Sequence, residues 1–163
     1  MLVVSNTSPL LNLAIIDFLF LLPQQFGQIQ IPTAVHTELK LDQNRPGSAA
    51  LRAAIHEGWL VTHSVEADPL VRLLQRDLHQ GESEAIALAV KLKASQVLLD
   101  EKEARRAARS LGLGMTGVLG VLLRGWYQGS VPSLEAAIDR LQNEAHFWIA
   151  PALVAQILQE AQA

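Results

Sequence analysis

Short apolar runs alternate along this chain with longer segments of helical periodicity. The runs lie at residues 2–4, 28–31, 59–62 and 97–99, and a strand-and-turn segment follows at 112–117. This alternation is typical of a parallel sheet covered by helices. The run at 97–99 is wholly apolar, as expected for a strand buried on both faces. We therefore predict an α/β fold, a three-layer α/β/α sandwich with a central, mainly parallel sheet.

Helix starts are marked by local signals. Ser8 before Pro9 is predicted to cap a first helix that extends to about residue 20. Gly81 is predicted to separate a helix at 69–79 from another at 82–93. Pro32 is predicted to open a helix that carries Glu38. Further helices are predicted at 48–57, 101–111 and 118–127, at 133–143 with Ser133 as its cap, and from residue 151 onward.

A chain of 163 residues fits one domain. We predict a single domain over 1–163, with residues 130–163 as a C-terminal helical extension packed on it. The apolar stretch at 10–22 is interrupted by Asn12 and Asp17, and its 13 residues are fewer than the ~20 of a membrane helix. No basic residue precedes it, as one would in a signal peptide. We expect no membrane association and a cytoplasmic location.

Composition narrows the chemistry. The absence of cysteine excludes disulfides, thiolate metal sites and cysteine nucleophiles. The five histidines are scattered without a His-x3-His pair, so a metal site would be built from oxygen, which favours Mg²⁺ or Mn²⁺. Gly112-Leu113-Gly114 lacks the rest of a phosphate-binding loop. A net charge of −3 gives no overall basic field, so nucleic-acid binding would need a local patch.

Polar side chains follow two of the predicted strands. Asn6 comes after the first strand, and Asp100 follows the run at 97–99. Ligands of parallel sheets bind beyond the carboxyl ends of the strands. Glu82 and Glu84 begin a helix that leads into the Asp100 strand, and Glu38 could join them from an earlier helix. Clustered carboxylates stay ionised only when a cation neutralises them, so we predict a magnesium or manganese site here.

Each acid also has a simpler interpretation. Glu82 and Glu84 lie in a first helical turn, where carboxylates stabilise a helix by interacting with its dipole. Asp100 could be the N-cap of the helix that follows it. The histidines are expected at the surface or half-buried, without a role as a base. Aromatic residues in apolar contexts are predicted in the core or at an interface, and not as platforms for base stacking: Trp59, Trp126, Tyr127 and Trp148.

The helix after Asp100 carries a basic stripe at positions i, i+3, i+4 and i+7, made of Lys102, Arg105, Arg106 and Arg109. Cations beside an acidic metal site suit a phosphodiester substrate, since they hold its backbone while the metal activates water. The alternative is a solvated helix face whose charge is offset by Glu101 and Glu103.

Four segments in this order resemble the PIN-domain proteins. They are residues 3–11 (VVSNTSPLL), 81–89 (GESEAIALA), 98–101 (LLDE) with 104–106 (ARR), and 116–123 (TGVLGVLL). The part from Phe147-Trp148-Ile149 to the end is similar to a prokaryotic PIN-like subfamily with a longer C-terminal region. The resemblance covers nearly the whole chain. It implies a three-layer α/β/α fold whose acidic residues bind Mg²⁺ or Mn²⁺ and hydrolyse RNA.

The resemblance also assigns roles by position. The places of the four family acids are taken by Asn6, Glu38, Glu82 and Asp100. Of these, Glu82, Asp100 and Asn6 would hold the metal. Supporting positions, which orient or flank the site, are taken by Thr7, Ser8, Glu84 and Thr116. Many PIN domains are toxins of type II toxin–antitoxin pairs, so an antitoxin protein is an expected partner.

One departure separates this chain from the family. The first acid is usually aspartate, and Asn6 offers a carbonyl oxygen without a charge. The leading hypothesis is a metal-dependent ribonuclease; the alternative is a catalytically degenerate PIN-like module that binds nucleic acid or a protein. A magnesium-dependent phosphatase with Asp100 as nucleophile is a third hypothesis, although the usual Asp-x-Asp pattern is missing. A homodimer through Trp126 and the apolar last helix is also expected, with packing inside one core as its alternative.

Overall fold

A computed structural model describes residues 1–65 and 68–162 of the chain. Within them, five parallel strands form one sheet in the order β3-β2-β1-β4-β5. The strands are β1 (Val3–Ser5), β2 (Ile29–Pro32), β3 (Leu60–His63), β4 (Gln96–Leu98) and β5 (Met115–Thr116). The predicted α/β/α class with a parallel sheet is confirmed.

Helices connect the strands and extend the chain beyond the sheet. They are α1 (Thr7–Ile15), α2 (Leu21–Phe26), α3 (Thr33–Leu39), α4 (Ser48–Glu57), α5 (Pro69–Leu74), α6 (Gln80–Leu92), α7 (Lys102–Ser110), α8 (Val118–Tyr127), α9 (Leu134–Asn143) and α10 (Pro151–Gln162). Ser133 caps α9 as predicted, since its Oγ accepts a hydrogen bond of 3.1 Å from the Ala136 N–H. Ala163, the last residue of the predicted extension, lies outside the described residues.

The first helix differs from its prediction at both ends. Asn6 is its N-cap, so Ser8 lies inside α1 and does not cap it. The helix stops early because Asp17 adopts a left-handed backbone conformation with φ of 66°. Arg140 of α9 stabilises this break: its Nη1 donates to the Ile16 carbonyl at 2.8 Å and its Nη2 to Asp17 Oδ2 at 3.0 Å. The apolar segment then continues as the separate helix α2.

Gly81 also differs from its prediction. It is the second residue of the continuous helix α6 and does not break it, whereas the preceding helix α5 already ends at Leu74. A Cβ atom at Gly81 would lie 2.8 Å from Glu38 Cδ. The glycine therefore serves the close approach of α3 to the first turn of α6.

The sheet separates two hydrophobic clusters, because successive strand residues point to opposite faces. Val3 belongs to one cluster with residues of α1, α2, α8 and α9, and Val4 belongs to the other with residues of α6 and α7. Ile149 and Ile157 from the C-terminal region are buried in the first cluster, where α10 contacts α8 and α9. Among the described residues, every helix is too short or too polar to cross a membrane.

Candidate functional site

The strand order places a candidate binding edge between β1 and β4. Strands β2 and β3 lie on one side of β1, and β4 and β5 lie on the other, so the order reverses at this point. Parallel sheets bind ligands beyond the carboxyl ends of strands at such a reversal. Ser5 pairs with Leu98, and the Asn6 N–H donates to the Leu98 carbonyl at 3.0 Å. Asn6 and Asp100 therefore leave neighbouring strands at the same edge.

Asn6 is buried, with only 2% of its surface exposed. It is the N-cap of α1 by backbone geometry, but its side chain forms no capping hydrogen bond. Its Oδ1 is buried and has no hydrogen-bond partner among the described residues. An unpaired buried carbonyl oxygen costs about 1–3 kcal/mol. This oxygen is therefore available to a ligand at the edge of the sheet.

Asp100 carries a second unpaired oxygen. Its Oδ1 accepts a hydrogen bond of 2.8 Å from the Val118 N–H at the start of α8, whereas Oδ2 is buried without a partner in the described part of the chain. Burial raises the pKa of Asp100 to about 6, although the Val118 N–H and Arg105 act in the opposite direction. The N-cap of α7 is Glu101, so Asp100 does not cap that helix. A cation would relieve the cost of this buried carboxylate.

Glu38 and Glu82 meet at His79, a residue for which the sequence predicts no role as a base. His79 Nε2 lies 2.5 Å from Glu82 Oε1, and His79 Nδ1 lies 3.9 Å from Glu38 Oε1. On its other side, Glu38 accepts a hydrogen bond of 2.6 Å from Thr7 Oγ1. Burial raises the pKa of Glu82, and Glu101 and Glu38 add to this effect, while His79 lowers it. The His79 ring thus lies between two carboxylates.

Three supporting residues form contacts of their own. Glu84 is buried and accepts hydrogen bonds from the Ala34 N–H at 3.3 Å and from Gln80 Nε2 at 2.7 Å, so it holds the start of α3. Ser8 Oγ accepts a hydrogen bond from Asn12 within α1. The Thr116 hydroxyl is hydrogen-bonded to Gln96, although Thr116 lines the same cavity as Asp100.

The predicted metal site requires Asn6, Glu38, Glu82 and Asp100 to lie close together. Glu38 of α3 and Glu82 of α6 both contact His79, whereas Asp100 follows the end of β4. The charge of Glu101 raises the pKa of both Glu82 and Asp100. Within residues 1–65 and 68–162, no group of three His, Asp or Glu side chains is close enough to hold one metal ion. The four-residue site therefore stays a prediction.

The donor set nevertheless fits Mg²⁺ or Mn²⁺ in kind. Both ions prefer oxygen ligands, and the unpaired oxygens of Asn6 and Asp100 are buried at one edge. The raised pKa values of Asp100 and Glu82 indicate carboxylates that a cation would stabilise in their ionised form.

Comparison with known proteins identifies the family. A family model described as a PIN domain matches residues 2–163. The chain belongs to the PIN-domain family. PIN domains are generally nucleases and typically use divalent metals, which supports nuclease as the broad class of activity.

A solved structure of a PilT N-terminus domain protein from the hyperthermophilic archaeon Sulfolobus solfataricus is similar to this PIN domain. The TM-score is 0.54 and the identity 21%, over 74% of this chain and 90% of that one. At this identity the similarity supports the fold alone. No curated protein matches the sequence significantly.

The four residues of the basic stripe of this PIN domain differ in their exposure and contacts. Arg105 is half-buried, and its Nη1 donates to the Leu99 carbonyl at 2.7 Å. Lys102, Arg106 and Arg109 are exposed. Arg106 lies 3.7 Å from a Glu103 carboxylate oxygen, so part of the stripe is offset by an acid, as the simpler interpretation held. Arg105 is the member whose charge acts on Asp100, since it lowers the pKa of that carboxyl.

The aromatic residues divide in a similar way. Trp59 and Trp126 are half-buried against the core, as predicted. Trp148 and Tyr127 are 79% and 64% exposed, so they lie outside the core, and their predicted position at an interface stays a prediction. Trp148 faces outward because its neighbour Ile149 is turned into the core, with 3% of its surface exposed.

Proposed function

We propose that this PIN domain is a metal-dependent endoribonuclease that hydrolyses RNA phosphodiesters at the carboxyl edge of β1 and β4. One observation carries the proposal. Asn6 Oδ1 and Asp100 Oδ2 are buried, unpaired among the described residues, and attached to neighbouring strand ends. Two such oxygens at one edge of the sheet are costly to the fold unless a ligand such as a divalent cation occupies the edge.

Each residue has a role in this proposal. Glu82, Asp100 and Asn6 would hold Mg²⁺ or Mn²⁺, which supplies a bound water of lowered pKa and stabilises the charge that develops on the phosphate. Glu38 would act as the fourth acid, with its Oε2 oriented by the Thr7 hydroxyl. Arg105, with the exposed cations of α7, would hold the RNA backbone.

Cleavage of single-stranded RNA with manganese tests the proposal. Wild type is compared with Asp100→Ala, and the matched control is Asp139→Ala, which removes an exposed acid of α9. We expect cleavage by wild type and by the control, and a loss of activity on the order of 100-fold or more in Asp100→Ala. Equal activity in wild type and Asp100→Ala, or none in either, would contradict the nuclease.

Asn6 favours a second candidate function, a degenerate PIN-like module that binds RNA or a protein. An amide contributes no charge to the site, so metal affinity and water activation are weaker than with aspartate. Calorimetric titration with Mg²⁺ or Mn²⁺ separates the two candidates, because absence of binding at millimolar metal contradicts the nuclease. Strong cleavage by Asn6→Asp that wild type lacks would support the degenerate module.

The biological setting is a finer proposal. We infer a cytoplasmic toxin of a type II pair, with an antitoxin protein as partner. A gene for a small DNA-binding protein directly upstream would support it. We also propose a homodimer, to be tested by sedimentation. Ile157 of α10 is already buried in the chain's own core, so this contact would use the more exposed residues of that helix, such as Leu153.

A further inference from the structure

A cavity of about 570 Å³ opens beside Asp100. Asp100 and Arg105 form one wall, and the first turn of α8 forms another, with Leu119 and Gly120. Segment 147–150 and the start of α10 complete the lining. Sites for small organic groups span roughly 300–1,000 Å³. The cavity therefore has room for a group much larger than a water molecule, in direct continuity with the candidate metal-binding edge.

Trp148 belongs to this lining and presents most of its indole to solvent, with 79% of its surface exposed. Its backbone is held on both sides. The Phe147 N–H donates to the Leu141 carbonyl at 3.0 Å, and Gln142 Nε2 donates to the Ile149 carbonyl at 3.4 Å. Because its backbone neighbours are held in place, a planar group that stacks on Trp148 orders little further chain.

The charges beside the cavity restrict what could fill it. Arg105 uses Nη1 for the Leu99 carbonyl and keeps further N–H donors for a ligand. A lipid chain would leave the remaining N–H donors of Arg105 and the Oδ2 atom of Asp100 without polar partners. A nucleotide matches both Trp148 and Arg105, because its planar base can stack on the indole and its phosphate is an anion that pairs with the guanidinium.

We propose that this cavity is a subsite for an unpaired nucleobase of the RNA strand. The base stacks on Trp148, and the phosphate attached to its nucleotide contacts Arg105. This inference rests on the proposed function, since it names the form of RNA that the same edge takes. Bases inside a duplex are stacked on each other and cannot enter, so the subsite selects single-stranded RNA. Every base has a π face, so the stacking adds affinity with little choice among the four bases.

Binding without cleavage tests the subsite. Fluorescence anisotropy of a short labelled single-stranded RNA is measured in EDTA for wild type, Trp148→Ala, Trp148→Phe and the control Phe20→Ala. Phe20 is 48% exposed and lies between α1 and α2, outside the cavity. We expect Trp148→Ala to weaken binding between about 5-fold and about 150-fold. Trp148→Phe should retain most of the affinity, and Phe20→Ala should match wild type.

Several results would overturn the subsite. Equal affinity of Trp148→Ala and wild type would do so, as would no binding by wild type, or an equal loss by Trp148→Ala on fully paired RNA. Sedimentation of wild type and Trp148→Ala adds a further check. If wild type is a dimer and Trp148→Ala is not, the surface around Trp148 is a contact between two copies of the chain and not an RNA subsite.

The subsite and the nuclease can fail separately. RNA binding that depends on Trp148 without any metal-dependent cleavage would keep the subsite and contradict the nuclease. Cleavage with a KM unchanged by Trp148→Ala would keep the nuclease and contradict the subsite.

Discussion

Replacing Asp100 by asparagine should stabilise the metal-free protein at neutral pH. The pKa of this carboxyl is about 6 in the folded chain, against an ordinary value of 3.8, chiefly because it is buried. Its ionised form is therefore favoured in the unfolded chain. The difference between the two pKa values corresponds to about 3 kcal/mol of unfolding free energy once the group is ionised in both states.

The direction of the pH dependence follows from the raised pKa. Below 3.8 the carboxyl is protonated in both states and the penalty is absent. Between 3.8 and about 6 the unfolded chain releases the proton first, so the free energy of unfolding falls as the pH rises. Above that interval the folded protein carries the full penalty.

The substitution removes the charge and keeps one hydrogen bond. Asparagine Oδ1 can still accept the Val118 N–H, which now bonds to Asp100 at 2.8 Å. The new amide nitrogen takes the place of the unpaired Oδ2 and needs a partner, at a cost of about 1–3 kcal/mol. We expect Asp100→Asn to be more stable than wild type by up to about 2 kcal/mol near pH 8, and no more stable near pH 4.

Urea denaturation in EDTA, followed by tryptophan fluorescence near pH 4 and near pH 8, measures the difference. Asp139→Asn, at an exposed position of α9, is the control and should show no such pH dependence. Manganese near pH 8 should raise the stability of wild type more than that of Asp100→Asn. A difference between Asp100→Asn and wild type that is the same at both pH values would refute the reasoning.

Three further substitutions test the surroundings of the site. Gly81→Ala should displace the Glu38 carboxylate and reduce cleavage; cleavage equal to that of wild type would contradict the steric explanation. Ser133→Ala should lower the free energy of unfolding by about 1 kcal/mol in urea and leave cleavage unchanged, because it removes only a helix cap. In Glu84→Gln the amide of Ala34 at the start of α3 should stay protected from hydrogen exchange, whereas in Glu84→Ala it should exchange faster; equal exchange in the two variants would contradict this role of Glu84.

The sequence predicted those elements whose signals are local. The apolar run of β4 and the Ser133 cap of α9 depend on a few adjacent residues, and both lie close to their predicted positions. The break between α1 and α2 lies inside one apolar stretch and could not be predicted. Arg140, which stabilises it, is 124 residues away from Ile16 in the chain, so the signal is tertiary.

In the candidate site, too, some residues could be predicted from local sequence and others depend on tertiary packing. Asn6 and Asp100 could be assigned to strand ends, because the carboxyl edge of a parallel sheet follows from strand pattern alone. His79 could be noticed three residues before Glu82, as the N-cap of the same helix, but its second partner, Glu38, comes from α3 and depends on the packing at Gly81. The outward position of Trp148 depends likewise on Ile149 being anchored in the core.

The pairing of Ser5 with Leu98 has a consequence for how this site can change. Asn6 and Asp100 are separated by the spacing of two hydrogen-bonded strands, which backbone atoms determine. Asparagine and aspartate differ by one terminal group of nearly the same size. The charge at this edge can therefore be altered by a single substitution while the positions of the two backbones stay unchanged. The affinity of the proposed metal site would change with such a substitution, while the fold would stay the same.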